Sequence, residues 1–89
     1  MVSAEISIIN KLGLHARAAA KFVTLASSFE SEINVKRGSR CVNGKSIMGV
    51  MMLAAAQGTQ IEVTAEGEDE ALAIEQLQQL VAQRFGEEE

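Results

Sequence analysis

Four short segments of this chain alternate apolar and polar residues with a period of two, and that alternation is its strongest constraint on the fold. Val2, Ala4, Ile6 and Ile8 interleave with Ser3, Glu5 and Ser7, so residues 2–9 are expected to form a strand with one wet face. Ile33–Lys36 and Arg40–Val42 alternate in the same way on either side of Arg37-Gly38-Ser39, a hairpin turn. Gln60–Glu66 repeats the pattern with Ile61, Val63 and Ala65. Such strands have one apolar face to bury, so their sheet must be covered on one side and open to water on the other.

The segments between the strands supply the cover. Ala16–Phe29 is rich in helix formers and places Phe22, Leu25, Ala26 and Phe29 at helical spacing, with the helix beginning at or just after His15. Ser46 heads a second helix, Ile47–Ala56, with Ile47, Val50, Met51 and Ala54 on one face and Gly58 placed to end it. The turn Gly67-Glu68-Asp69 launches a third, whose acidic first turn suits the positive helix end and whose buried stripe is Ile74, Leu77, Val81 and Phe85. The order βαββαβα contains a split β-α-β unit. It predicts an α+β fold: a four-stranded, mainly antiparallel sheet with three helices on one face. With 89 residues, the whole chain, 1–89, is expected to be one domain.

Composition narrows the function. Residues 1–45 hold seven basic and three acidic side chains, net +4, whereas residues 46–89 hold one basic and nine acidic, net −8. An acidic chain with three aromatic residues, none on a proposed strand, lacks the basic stripe and stacking rings of nucleic-acid binding, and an RNA-binding split β-α-β domain is set aside. The longest apolar run, Val50–Ala56, is too short to cross a bilayer, and no secretory signal is expected in residues 1–10, where Glu5 interrupts the apolar stretch one needs. Cys41 is the only cysteine, so no internal disulfide forms; it is expected to pack in the sheet of a cytoplasmic protein. The terminal Glu87-Glu88-Glu89 is expected to be a solvated, frayed end. No metal-ligand cluster, carboxylate pair or hydrolase triad is visible, and no cofactor is expected.

The chemistry gathers at Gly13-Leu14-His15-Ala16-Arg17. First-turn amides have no intrahelical acceptor and sit in the positive field of the helix, so Ala16, Arg17 and Ala18 offer donors to an anion. Arg17 adds a guanidinium that forks onto phosphate oxygens. The same field disfavours an imidazolium and keeps His15 neutral and nucleophilic near neutral pH. A plainer role is open to a lone histidine, that of a polar residue at a loop–helix junction. It loses ground because glycine, histidine, helix start and arginine occur together.

A second cluster is Asn43-Gly44-Lys45-Ser46-Ile47-Met48. Ser46 is expected to cap its helix, a role compatible with phosphorylation, since phosphate at a helix start is electrostatically favoured. A P-loop is rejected, because Ser39 stands where its first glycine is needed. Met48, Met51 and Met52 exceed what one buried stripe absorbs. Some are expected on the surface, where thioethers suit several partners.

Lys11-Leu12-Gly13-Leu14-His15-Ala16-Arg17 and Asn43-Gly44-Lys45-Ser46-Ile47-Met48-Gly49-Val50-Met51, with Gly67-Glu68-Asp69 at a matching place, resemble the histidine-containing phosphocarrier (HPr) family of the bacterial phosphotransferase system. The resemblance spans nearly the whole chain. It implies an open-faced β-sandwich, phosphorylation of His15 on Nδ1 by enzyme I using phosphoenolpyruvate, and transfer to enzyme IIA domains. It also implies that Arg17 stabilises the phosphate, that Ser46 is a regulatory serine for a dedicated kinase or phosphorylase, and that Ile47, Met48 and Met51 lie on the partner-binding helix. A monomer is the simplest such carrier, a phosphorylated intermediate and not an independent enzyme. Ala18 stands where the family commonly has proline; alanine is the best helix former, so the helix should still begin there. Two other readings stay within the fold: a purely regulatory binding module acting through Ser46, against which His15 argues, and a nitrogen-related carrier that moves no sugar.

Overall fold

The computed structural model describes residues 1–88. The strands are β1 (Val2–Ser7), β2 (Glu32–Arg37), β3 (Arg40–Asn43) and β4 (Gln60–Glu66), and the helices are α1 (Ala16–Ser27), α2 (Ile47–Met52) and α3 (Glu70–Ala82). The sheet order is β1-β4-β2-β3, with every neighbouring pair antiparallel. This is the expected βαββαβα fold, an open-faced sandwich of one sheet and one helical layer.

Register explains why the sheet has one dry face. Ile6 pairs with Ile61, Ile33 with Ala65, and Val35 with Val63, and all six side chains are buried. Against them α1 places Ala18, Ala19, Phe22, Val23 and Ala26, and α3 places Ala73, Ile74, Leu77 and Val81. On the wet face Glu62 stands between Glu5 of β1 and Lys36 of β2, so the lysine offsets a like-charged neighbour.

Several boundaries differ from the sequence-based expectation, each for a physical reason. Strand β1 ends at Ser7, although Ile8 remains buried and keeps two backbone bonds, to Thr59 and Gly58. Helix α1 ends at Ser27, and Phe29 reaches the core through a turn in which its N–H donates to the Ala26 carbonyl. Helix α2 stops at Met52, not Ala56, and buries only Val50; Ile47, Met51 and Ala54 are exposed, and Leu53 and Ala55 enter the core instead. Its final carbonyls are taken by arginines: Arg37 donates to Leu53 O at 2.8 Å and Arg40 to Met52 O, while Ala54 turns left-handed. Gly58 lies beyond this stop and does not end the helix. Phe85 is buried, yet it sits past the end of α3 in a 3-10 turn, Arg84–Gly86.

Cys41 is exposed rather than packed. Its register partner is Lys36, whereas the neighbouring pair Val35–Val42 points toward the core, so pleating puts the thiol on the wet face of the edge strand.

Asp69 does not cap its own helix. Its carboxylate accepts from the Glu30 N–H at 2.9 Å, the Ser31 N–H at 3.0 Å and the fully buried Ser31 hydroxyl, latching the α1–β2 connection to the start of α3. The Ser31 hydroxyl, followed by the Glu30 amide, holds the Asp69 carboxyl below its ordinary 3.8. A depressed folded value means stability that is present above the unfolded value and lost as pH falls through the folded one. Asp69→Asn is therefore expected to lower the melting temperature at neutral pH and to flatten its decline between about pH 5 and pH 3. Thermal unfolding across that range checks it; parallel melting curves for both proteins would refute the latch.

Candidate functional site

A reversal between β1 and α1 builds the site. The Gly13 N–H donates to the Asn10 carbonyl at 3.1 Å, and Gly13 adopts φ +65°. Leu14, itself buried, then donates its N–H to the Ala55 carbonyl at 2.9 Å, docking the loop on the chain that leaves α2. His15 follows in extended geometry at the N-cap of α1, where its carbonyl accepts the Ala19 N–H at 2.8 Å.

The helix start is unusually open. Its N-cap side chain makes no capping bond and its first turn holds no acidic residue, so the N–H groups of Ala16, Arg17 and Ala18 keep no intrahelical partner. Arg17 is exposed and makes no side-chain hydrogen bond or ion pair among the described residues. A cleft of about 620 Å³ opens here, lined by Lys11, Leu12, His15, Ala16, Arg17 and Glu87. Donors, a permanent cation and an imidazole thus meet at one concave surface, the arrangement that suits a phosphoryl group.

Glu87 is the member that sequence reasoning missed. Expected in a solvated tail, its carboxylate instead meets His15 Nε2 and accepts from Asn10 Nδ2 at 3.0 Å. Glu88 is exposed as expected, and Glu89 lies outside the described residues. Burial pushes the Glu87 carboxyl up, but hydrogen bonds from His15 and then Asn10 outweigh it and leave the group below its ordinary 4.5. An ionised carboxylate only accepts, so Nε2 carries the proton in this contact. Nδ1 has no partner among the described residues. The positive helix field is therefore balanced at the ring by a negative neighbour.

The second cluster lies at the start of α2, outside the cleft lining. Ser46 Oγ accepts from the Gly49 N–H at 3.1 Å, the expected cap, and Lys45 Nζ donates to Phe29 O at 2.7 Å, fixing the loop to the end of α1. Ile47, Met48, Met51 and Met52 are exposed, Met48 at 71%, and so is Leu12 on the cleft rim. Helix α2 packs on α1, so the exposed apolar side chains and the cleft belong to the same helical layer.

Comparison with known proteins agrees with this geometry. Residues 2–83 match the family model described as the PTS HPr component phosphorylation site. The chain belongs to the HPr family. The phosphocarrier protein HPr of Neisseria meningitidis serogroup A is 56% identical over 89 residues, all of both chains. The crystal structure of HPr from Thermoanaerobacter tengcongensis superposes with a TM-score of 0.96 at 49% identity, covering all of both chains. Crh, the catabolite-repression protein of Bacillus subtilis, crystallised as a swapped dimer, is more distant in shape, with a TM-score of 0.75 at 42% identity over 94% of this chain and 97% of that one.

Within this HPr framework, α1 starts at Ala16 even with Ala18 in place of proline. Gly13 is the position least open to change. A Cβ there would meet the Ala55 carbonyl oxygen and stand 2.8 Å from Ala56 Cα, on a backbone already left-handed. Gly13→Ala is expected to cost about 1–3 kcal/mol and to displace His15 from the helix start. Chemical denaturation with the His15 ring resonances checks it, and a variant as stable as wild type with unmoved resonances would show that the loop tolerates the side chain.

Proposed function

We propose that His15, through Nδ1, is the atom on which this phosphocarrier takes up a phosphoryl group from enzyme I and from which enzyme IIA domains remove it. The observation that carries this reading is the open helix start: an imidazole at the N-cap and an Arg17 with no side-chain partner among the described residues line one cleft, where the first three amides of the helix lack intrahelical partners. In the uptake step the Nδ1 lone pair forms the N–P bond as the donor's bond to phosphorus breaks and its electron pair returns to the donor. The amides of Ala16, Arg17 and Ala18 and the Arg17 guanidinium receive the phosphoryl oxygens. All of these groups come from one chain, so a single copy suffices. Exposed Ile47, Met48 and Met51 offer an apolar docking face beside the cleft, and recognition by both donor and acceptor suits flexible thioethers.

Ser46 is the proposed regulatory position, acted on by a serine kinase. A phosphate there adds about −1.5 to −2 charge at the cap of α2, among the apolar side chains of the docking face. No helix among the described residues is long and apolar enough to cross a membrane, and the reading puts the protein in the cytoplasm with its donor and acceptors.

Incubation with phosphoenolpyruvate and enzyme I, followed by intact mass and acid treatment, tests the reading. The wild type is expected to gain one acid-labile phosphate, and His15→Ala to gain none while keeping its fold. A His15→Ala protein that is still labelled sinks the assignment. Ser46→Asp is expected to slow uptake several-fold, whereas Ser46→Ala loses the cap, about 1 kcal/mol of stability, and keeps its uptake rate. Equal rates for Ser46→Asp and wild type count against the regulatory position.

A further inference from the structure

The chain beyond α3 takes an expensive route. Arg84, Phe85 and Gly86 adopt φ values of +56°, +55° and +78°, three consecutive left-handed residues of which two are not glycine. A side chain in that region is strained, because its Cβ crowds the following carbonyl oxygen. Burial of Phe85 and the bond from Lys21 Nζ to the Phe85 carbonyl, 2.6 Å, hold the turn in place. The reversal brings Glu87 back 72 residues in sequence to His15.

The receiving side is equally specific. Asn10 is fully buried, and its amide nitrogen donates both to Gly13 O at 2.8 Å and to Glu87 Oε1 at 3.0 Å, while its Oδ1 has no partner among the described residues. A buried acceptor left without a partner costs stability, so the side chain is oriented by what its donors hold: the Gly13 loop and the Glu87 carboxylate. The Glu87 side chain is only 16% exposed and the ring 28%. A tail serving only to cover the core would be completed by Phe85, without a carboxylate drawn out of water beside a histidine.

On the carrier reading above, we propose that Glu87 is a positioning residue for phosphoryl transfer: its carboxylate keeps the His15 proton on Nε2, leaves the lone pair on Nδ1, and balances the positive charge the ring gains as the N–P bond forms. Attack by Nδ1 turns the neutral ring into an N-phosphorylated imidazolium whose Nε2–H is already paired with Glu87. No proton has to move during uptake. On transfer the N–P electron pair returns to Nδ1 and the ring regains its starting form. Asn10 and Lys21 act one step further out, by fixing the carboxylate and the turn that delivers it.

The test combines two readouts on wild type, Glu87→Ala and Glu87→Gln. The first is the long-range 15N–1H spectrum of His15 at about pH 8, where an ordinary imidazole is neutral. The second is the single-turnover rate of phosphoryl uptake from phosphorylated enzyme I, with thermal unfolding as a check on the fold. Wild type is expected to hold the proton on Nε2 alone. Glu87→Ala is expected to populate the Nδ1–H form as well and to slow uptake about tenfold, in the range seen when an orienting partner is removed. Glu87→Gln keeps an acceptor oxygen but no charge, so it is expected to restore the tautomer and only part of the rate. An unchanged spectrum in Glu87→Ala overturns the proposal, and so do equal uptake rates for Glu87→Ala and wild type. A wild type that takes no phosphate sinks the carrier reading instead, and the spectra alone then decide whether Glu87 holds the ring.

Discussion

Because every strand carries apolar residues on only one face, all three helices must lie on the same side of the sheet, and the rest of the structure follows from that crowding. In one layer, the start of α1, the exit of α2 and the chain beyond α3 meet. His15 stands at that meeting: Leu14 is tied to Ala55 behind α2, and the ring is met by Glu87 from beyond α3. The site is thus a product of the whole helical layer. Its lining comes from residues 11–17 and from Glu87 at the far end of the chain, and the sheet contributes none of the lining side chains.

A carrier is constrained in a way that an enzyme is not. It has to bind the transferred group well enough to accept it and loosely enough to surrender it, so a deep, closed pocket would be a disadvantage. The proposed site meets this requirement with helix dipoles and the Arg17 guanidinium. Amides at a helix start need no reorganisation to receive an anion, and Arg17 holds no side-chain partner among the described residues. On the proposed reading, the ring is held at the nitrogen that does not react, which leaves the other approachable by donor and acceptor in turn.

Much of this was legible in the sequence. Alternation marked the strands, clearly in β1 and β4 and weakly in β3, and Gln60–Glu66 agrees residue for residue with β4. The glycine–histidine–arginine run at a helix start and the serine cap of α2 were equally visible, because capping and first-turn electrostatics are local. What escaped depended on contacts between distant residues. Helix α2 was overextended because its stop is set by Arg37 and Arg40 reaching over from the β2–β3 hairpin, not by a glycine in its own sequence. Cys41 was misplaced because a four-residue edge strand gives too little alternation to fix its register. Glu87 carried no signal of its own; the one trace was Phe85 followed by Gly86, an anchor and a reversal.

The position of Cys41 has a practical side. The chain has a single thiol, and it projects from the wet face of the edge strand, away from the helical layer that holds the cleft and the exposed methionines. A fluorophore or spin label attached there would report on tumbling while standing clear of the docking face proposed above. The same geometry allows immobilisation with the helical side facing outward. A residue that the core does not use is thus a convenient handle on the molecule.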